Sequence, residues 1–202
     1  MVQAPPQQEP LLLELPDTLT LQVTREQFAD LAAANRDLRL ERTATGELIV
    51  NPPTGGETGN RNFSLTAQLG VWAEANDTLG KGFDSSTGFE LPNGANRSPD
   101  MSWVRKDRWD TLTPEQREKF IPLCPDFVVE LRSKTDSLKK LQAKMQEYME
   151  NGALLGWLID PKNKQVEIYR VGKGVETLDK PSTLSGENIL PSFTLTLKRI
   201  WA

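Results

Sequence analysis

The sequence predicts an α/β chain of the α+β kind, a mixed sheet flanked by helices. Three observations predict it. Helical and extended patterns alternate in the order helix, hairpin, helix, strands, helix, strands. A nearly all-apolar strand, residues 126–131, runs into an amphipathic stretch at about 136–151. The 202 residues, 37% hydrophobic and 26% charged, have the balance of a globular chain and suffice for one sizeable core.

Residues 1–15 are proline- and glutamine-rich at their start and are expected to be a disordered or extended arm. Residues 16–202 then form one domain. "PLLLELP" is bounded by prolines with no basic region before it, and is not expected to act as a signal peptide. Thr24 with Gln27 three residues on reads as a capping box, opening a helix over about 25–35 with Phe28, Leu31 and Ala32 inward. "LRLERTATGELIV" alternates on both sides of Thr45-Gly46, a hairpin. "NPPTGGETGN" is a loop by composition. Leu65, Leu69 and Trp72 at helical spacing predict a helix over about 57–76. "GFDSSTGFELPNGANRSPDMSWVRK" reads as two strands around a loop containing Asn93-Gly94. "DRWDTLTPEQREKF" reads as a peripheral insertion, with a helix after Thr113-Pro114. Gly152 is a natural stop for the 136–151 helix. "LLGWLIDP" and "QVEIYRV" pair across Pro161-Lys162-Asn163, and "FTLTLKRIW" is a last strand.

Composition removes whole classes of chemistry. The chain has no histidine and one cysteine. That excludes Ser-His-Asp, Cys-His, His-ligated zinc and thiolate zinc. Cys124 alone forms no internal disulfide and suits a reducing cytoplasm. No apolar run nears the roughly 18 residues of a membrane span, so no membrane partner is expected. A net charge of −4 argues against a basic nucleic-acid coat and suits carboxylates gathered around a divalent cation.

Alternation puts Asp126, Val128, Glu130 and Arg132 on one face of the 126–131 strand and Phe127, Val129 and Leu131 on the other. A strand buried on both faces should be apolar throughout. Glu130 and Arg132 break that pattern near its C-terminal end, where open α/β sheets place their sites. A bland Glu130 would need an ion pair with Arg132 or a neighbour. "SPDMSWV" offers a second carboxylate, Asp100, also leading into an apolar strand. Two carboxylates from adjacent strands suit Mg²⁺ (or Mn²⁺), which takes one or two carboxylates and keeps waters and phosphate oxygens for the rest. A cation must then hold the phosphate or the attacking water. Arg132 can clamp a phosphate but cannot act as a base. On the helix wheel Lys144 falls at one edge of the apolar stripe, beside Tyr148, and Gln142 at the other. Lys139 and Glu147 point outward and are expected to be solvated. Ser133 either caps the next loop or bonds to Glu130.

"SPD" at 98–100, "PDFVVELRS" at 125–133 and "LQAKMQEYMENGALLGWLIDP" at 141–161 together resemble the PD-(D/E)XK nuclease superfamily. More narrowly they resemble a large bacterial restriction endonuclease-like family, Uma-type, long catalogued as a domain of unknown function. The resemblance runs from about "GELIVNPPTGGETGNRN" to the C-terminus. It implies a restriction endonuclease-like core and a metal-dependent endonuclease acting on DNA. Asp100 fills the aspartate position and Glu130 the (D/E) position, and these two would hold the metal. Asp126 belongs to the "PD" dipeptide. Arg132 stands where the signature has lysine, and Lys144 from the following helix is expected to supply that lysine. An upstream glutamate is expected at Glu57, with Glu41 and Glu47 as alternatives. Such folds often pair, so a homodimer is open, with "RIW" at 199–201 as an exposed apolar end. A non-catalytic nucleic-acid-binding or assembly module is the rival reading. A carboxylate-pair glycosidase is disfavoured, because no aromatic-lined sugar groove is evident.

Overall fold

The structure, a computed structural model, describes residues 20–202. The arm expected at 1–15 lies outside the described residues. Helix α1 (Arg25–Ala34) opens on the Thr24–Gln27 capping box, with both reciprocal hydrogen bonds formed and Phe28 buried. Strands β1 (Arg39–Arg42) and β2 (Leu48–Asn51) make the expected hairpin. Its turn needs glycine: Gly46 has φ +98°, and a Cβ there would lie 3.1 Å from the Val23 carbonyl oxygen. Helix α2 (Gly56–Ala75) buries Leu65 and Leu69.

The next segment departs from the two strands expected. It contains four: β3 (Gly80–Asp84), β4 (Phe89–Glu90), β5 (Asn96–Arg97) and β6 (Met101–Arg105). The Asn93-Gly94 turn joins β4 to β5, and these two join β1 and β2 in a four-stranded sheet of order β2-β1-β5-β4. The chain changes sheets at Ser98-Pro99-Asp100. Proline has no N–H to give a ladder, so the break falls where the sequence cannot continue pairing. Two short helices follow, α3 (Lys106–Trp109) and α4 (Pro114–Arg117), the second capped by Thr113 and Gln116.

Strand β7 (Phe127–Leu131) is buried along its whole length. It pairs antiparallel with β6 and parallel with β8 (Leu155–Asp160). Helix α5 (Leu138–Glu150) connects β7 to β8, the right length for a parallel crossover. Gly152, with φ +107°, ends the helical region as expected. Strands β9 (Gln165–Arg170) and β10 (Glu176–Asp179) complete a six-stranded sheet of order β10-β9-β8-β7-β6-β3.

The last strand is shorter than expected. Only β12 (Thr194–Thr196) is extended, paired with β11 (Thr183–Ser185) in a ladder of its own. Leu195, Leu197 and Ile200 turn onto the sheet face and are fully buried. "RIW" is therefore no exposed apolar end: Ile200 is core and Trp201 packs against it.

Each face of the large sheet carries its own core. Met101, Trp103, Phe127, Val129, Leu131 and Trp157 meet α2 and the C-terminal tail. On the opposite face Val128, Leu158 and Tyr169 meet Met145 and Tyr148 of α5. No described helix is long and apolar enough to cross a membrane.

Candidate active site

Met101 pairs with Val129 in the antiparallel β6–β7 ladder. Extending that register by one pair sets Asp100 opposite Glu130. Both belong to the face of Ser102 and Val128, which α5 covers. Asp100 ends the ladder with its side chain: Oδ2 accepts the Leu131 N–H at 2.8 Å.

Glu130 is buried, and its charge is met from α5. Lys144 Nζ lies 2.8 Å from Glu130 Oε1, and the Tyr148 hydroxyl donates to the same oxygen at 3.0 Å. Lys144 and Tyr148 are one helical turn apart and therefore share a face. Lys144 also lies 2.9 Å from Oε1 of Glu41, a buried residue of β1 in the smaller sheet. Glu41 accepts the Ser98 N–H at 3.1 Å and pairs with Arg97 at 3.3 Å. Arg97 in turn binds Glu147 at 2.6 Å. Arg39, two residues before Glu41 and so on the same face of β1, donates to Asp100 Oδ1 at 3.2 Å and to the Ser98 carbonyl at 2.6 Å. Asn62 of α2 donates to Asp100 Oδ1 at 3.3 Å.

The cluster thus gathers four carboxylates (Glu41, Asp100, Glu130, Glu147) and three cations (Arg39, Arg97, Lys144). One negative charge is in excess. Burial, reinforced by the carboxylates of Asp100 and Glu41, pushes the Glu130 carboxyl up to about 7 against the pull of Lys144 and Arg39. Burial also opposes ionising Glu41, but Lys144 and Arg97 outweigh it and hold that carboxyl below its usual range. Lys144 stays charged for the same reason: its two carboxylates outweigh its burial and raise it. Of the two carboxylates on Lys144, Glu41 is the permanent partner and Glu130 the one that takes up a proton. Burial, then Glu130 and Glu41, raises the Tyr148 phenol well above its ordinary value, so it remains a donor.

The donor set fits a hard cation. Asp100 and Glu130 are oxygen donors on facing strands, and neither bond from α5 uses Glu130 Oε2. Asn62 Oδ1 is buried beside Asp100 with no hydrogen-bond partner, a third oxygen donor next to the pair. Among the described residues no three Asp, Glu, His or Cys side chains group as ligands. Two carboxylates with waters is the usual Mg²⁺ arrangement.

Several expected residues lie elsewhere. Arg132 leaves the strand and binds Asp160 at 2.7 Å and the Asp136 carbonyl at 3.2 Å, so its charge is neutralised away from Asp100. Asp126 sits at the far end of β7, where it accepts the Arg105 N–H and pairs with Arg108. The Glu57 side chain is 75% exposed and lies 3.8 Å from Arg61; Glu41 is the glutamate that reaches the cluster. Gln142 bonds Glu167 at 2.6 Å. Ser133 neither caps the loop nor bonds to Glu130: its backbone N–H donates to the Asp136 carboxylate, which does the capping, and its hydroxyl meets that of Thr135. Glu147 is not solvated but is Arg97's partner. Sequence reading passed over Arg39, Asn62 and Arg97. The available signal was "RLER", a strand with three charged residues of four, which is costly unless those charges have buried partners.

Residues 25–198 match the Uma2 family, described as "Putative restriction endonuclease". The chain belongs to this family. The structure resembles a solved one described as "a putative nuclease belonging to DUF820" from Anabaena variabilis, with a TM-score of 0.72 and 20% identity over 89% of this chain and 97% of that one. The fold is therefore restriction endonuclease-like. A comparison with curated proteins gave no match. In this Uma2 chain the cluster spans both sheets, α2 and α5, and no single stretch of sequence contains it.

Proposed function

We propose that this protein is a Mg²⁺-dependent (or Mn²⁺-dependent) endonuclease that hydrolyses DNA phosphodiester bonds in the cytoplasm. The observation that carries the reading is the buried convergence of Asp100, Glu130 and Lys144 from three elements. A reactive carboxylate pair beside a lysine is costly to fold, and the nuclease-type family gives that cost a purpose. Asp100 and Glu130 are the residues that would hold the metal, with Asn62 Oδ1 beside them. When bound, the metal supplies Lewis-acid polarisation of a phosphoryl oxygen and a water of lowered pKa.

The chain's own residues do the remainder. Lys144 Nζ has three N–H donors. Glu41 and Glu130 engage two, which leaves one for the attacking water or a phosphate oxygen. Glu41 keeps Lys144 charged and points it across the sheet end. Tyr148 holds Glu130 through Oε1, which leaves Oε2 outside both bonds from α5. Arg39 offsets the charge of Asp100 and can neutralise an incoming phosphate. Burial strengthens each of these electrostatic contributions.

Nicking of supercoiled plasmid in Mg²⁺ or Mn²⁺ tests the reading, comparing wild type with Asp100→Asn, Glu130→Gln and Lys144→Met. Loss of at least a hundredfold in all three variants is expected. Equal nicking by every variant would mean that the activity does not come from this cluster.

A second reading, a non-catalytic nucleic-acid-binding or assembly module, draws on one observation. Arg132 occupies the signature lysine position and is tied to Asp160. A melting temperature and DNA affinity indifferent to Mn²⁺ would favour it.

A further inference from the structure

The sheet end beside the cluster is strongly basic. Lys134 follows β7, Lys139 and Lys140 open α5, Lys162 and Lys164 sit in the β8–β9 turn, and Lys180 follows β10. The registers bring these segments to one edge. Leu131 pairs with Ile159, Asp160 with Gln165, and Gln165 with Asp179. The Lys180 N–H donates to the Lys164 carbonyl at 2.6 Å. All six lysines are exposed. Among the described residues the only lysines in ion pairs are Lys106 and Lys144, so these six are unpaired. The carboxylates in the same segments are already engaged. Asp160 holds Arg132, Asp136 accepts the Ser133 N–H and Asp179 accepts from Gln165. Seven cations therefore stand against three carboxylates over residues 132–140, 160–165 and 179–180. The net +4 there leaves −8 for the rest of a chain whose total is −4. Single solvated lysines are ordinary, but a local excess of positive charge on an acidic chain marks a surface for a polyanion.

The field is one-sided. It begins at the cluster, because Lys140 stands one helical turn before Lys144 and shares its face, and it runs away from β6 towards β10. On the other side of the cluster β3 ends at Asp84, opposite Met101. Residues 84–90, "DSSTGFE", contain no cation, and the first turn of α2 adds exposed Glu57. From β7 to β10 is three strand spacings, about 14 Å, and side chains beyond both strands extend this to about 20 Å. At about 3.4 Å per base pair, that spans about six base pairs of duplex.

We propose that this lysine-lined sheet end seats the phosphate backbone of duplex DNA on one side of the scissile bond, so that cleavage needs about six base pairs of flank on that side and few on the other. The proposal rests on the reading that the cluster cuts DNA, and it names which flank the protein holds. The lysines bind and do not react, so they set affinity and leave the chemical step to the cluster.

Binding and cutting are tested separately. Fluorescence anisotropy on a duplex of about 30 base pairs, without divalent metal and across a salt series, measures affinity. Lys134→Gln/Lys162→Gln/Lys164→Gln should weaken binding at least tenfold and reduce the slope of log affinity against log salt by about 3. Lys81→Gln/Lys119→Gln/Lys198→Gln makes the same change in net charge at exposed lysines elsewhere and should stay within about threefold of wild type. In the Asp100→Asn background, a benzophenone photocrosslinker on Thr135→Cys should capture the duplex and one on Ser86→Cys should not; Cys124 is buried. With Mg²⁺, cuts by the wild type should approach one terminus of each strand about six nucleotides closer than the other. Equal binding by the two triple variants, capture from Ser86→Cys as strong as from Thr135→Cys, or cuts symmetric about the duplex centre would overturn the proposal even where plasmid nicking stands. Lysine-dependent binding by a wild type that does not nick would overturn the cleavage reading and keep the surface.

Discussion

Glu130→Gln isolates the most strained group in the cluster. The neutral amide keeps the shape of the protonated carboxyl and can still accept from Lys144 and Tyr148 through Oε1. In the wild type the Glu130 carboxyl rises from an ordinary 4.5 to about 7 on folding. A raised folded value means that the proton is held more tightly in the native state. The associated stability is fully present below pH 4.5 and is lost as pH rises to about 7. At 1.36 kcal/mol per pH unit, that loss is about 3 kcal/mol. Glu130→Gln lacks this titration. The stability difference, variant minus wild type, should therefore climb by about 3 kcal/mol between pH 4.5 and 7.5 and then level off. For a chain of this size that is about 6–12 °C in melting temperature. Denaturant titrations at half-unit pH intervals without divalent metal measure it directly. Taking the difference removes every group the two proteins share, Glu41 included. Parallel curves from pH 4.5 to 7.5 would refute the reasoning, because Glu130 would then be ionised throughout with an ordinary carboxyl.

Other perturbations follow from the same geometry. Lys144→Met leaves two buried carboxylates facing each other; a loss of about 3 kcal/mol is expected by urea unfolding at pH 8, with about half recovered in the double variant Lys144→Met/Glu130→Gln. Tyr148→Phe removes one hydrogen bond from a buried carboxyl and should cost about 1.5–3 kcal/mol in the same assay. Arg132→Ala should lower stability by about 1–2 kcal/mol and leave metal-dependent nicking within about threefold of wild type, since Asp160 keeps donors from Lys162 and Asn163; abolished nicking would return Arg132 to the mechanism. Mn²⁺ affinity by calorimetry should rise roughly tenfold per pH unit below pH 7, as the proton on Glu130 competes with the ion, and that slope should vanish in Glu130→Gln.

The middle of the large sheet, β6 to β9, was readable because its strands are short apolar or alternating runs, and α5 because its apolar stripe keeps one period to Gly152; β10, "ETLD", has no such run and was not foreseen. Asp100 and Glu130 were readable for a local reason: each is a carboxylate where an apolar strand should have none. The wheel set Lys144 and Gln142 at the two edges of the α5 stripe, and the family resemblance, not the wheel, favoured Lys144. What sequence could not supply was pairing between distant elements. Glu41 lies 103 residues from Lys144, and nothing near it in the chain indicates which helix will cover it. Arg132 misled for the converse reason. Alternation gives its direction only while the strand continues, and the strand ends at Leu131. Beyond that point Asp160, at the end of neighbouring β8, was the nearer charge.

Glu41 on the small sheet and Lys144 on α5 meet only once the hairpin near the start of the chain has docked against a helix made more than a hundred residues later. A chain still being synthesised holds the parts of its charge cluster on separate, unjoined segments. Whatever chemistry the cluster performs is therefore withheld until α5 and the strand it leads into have been made, with the order of translation acting as the safety catch.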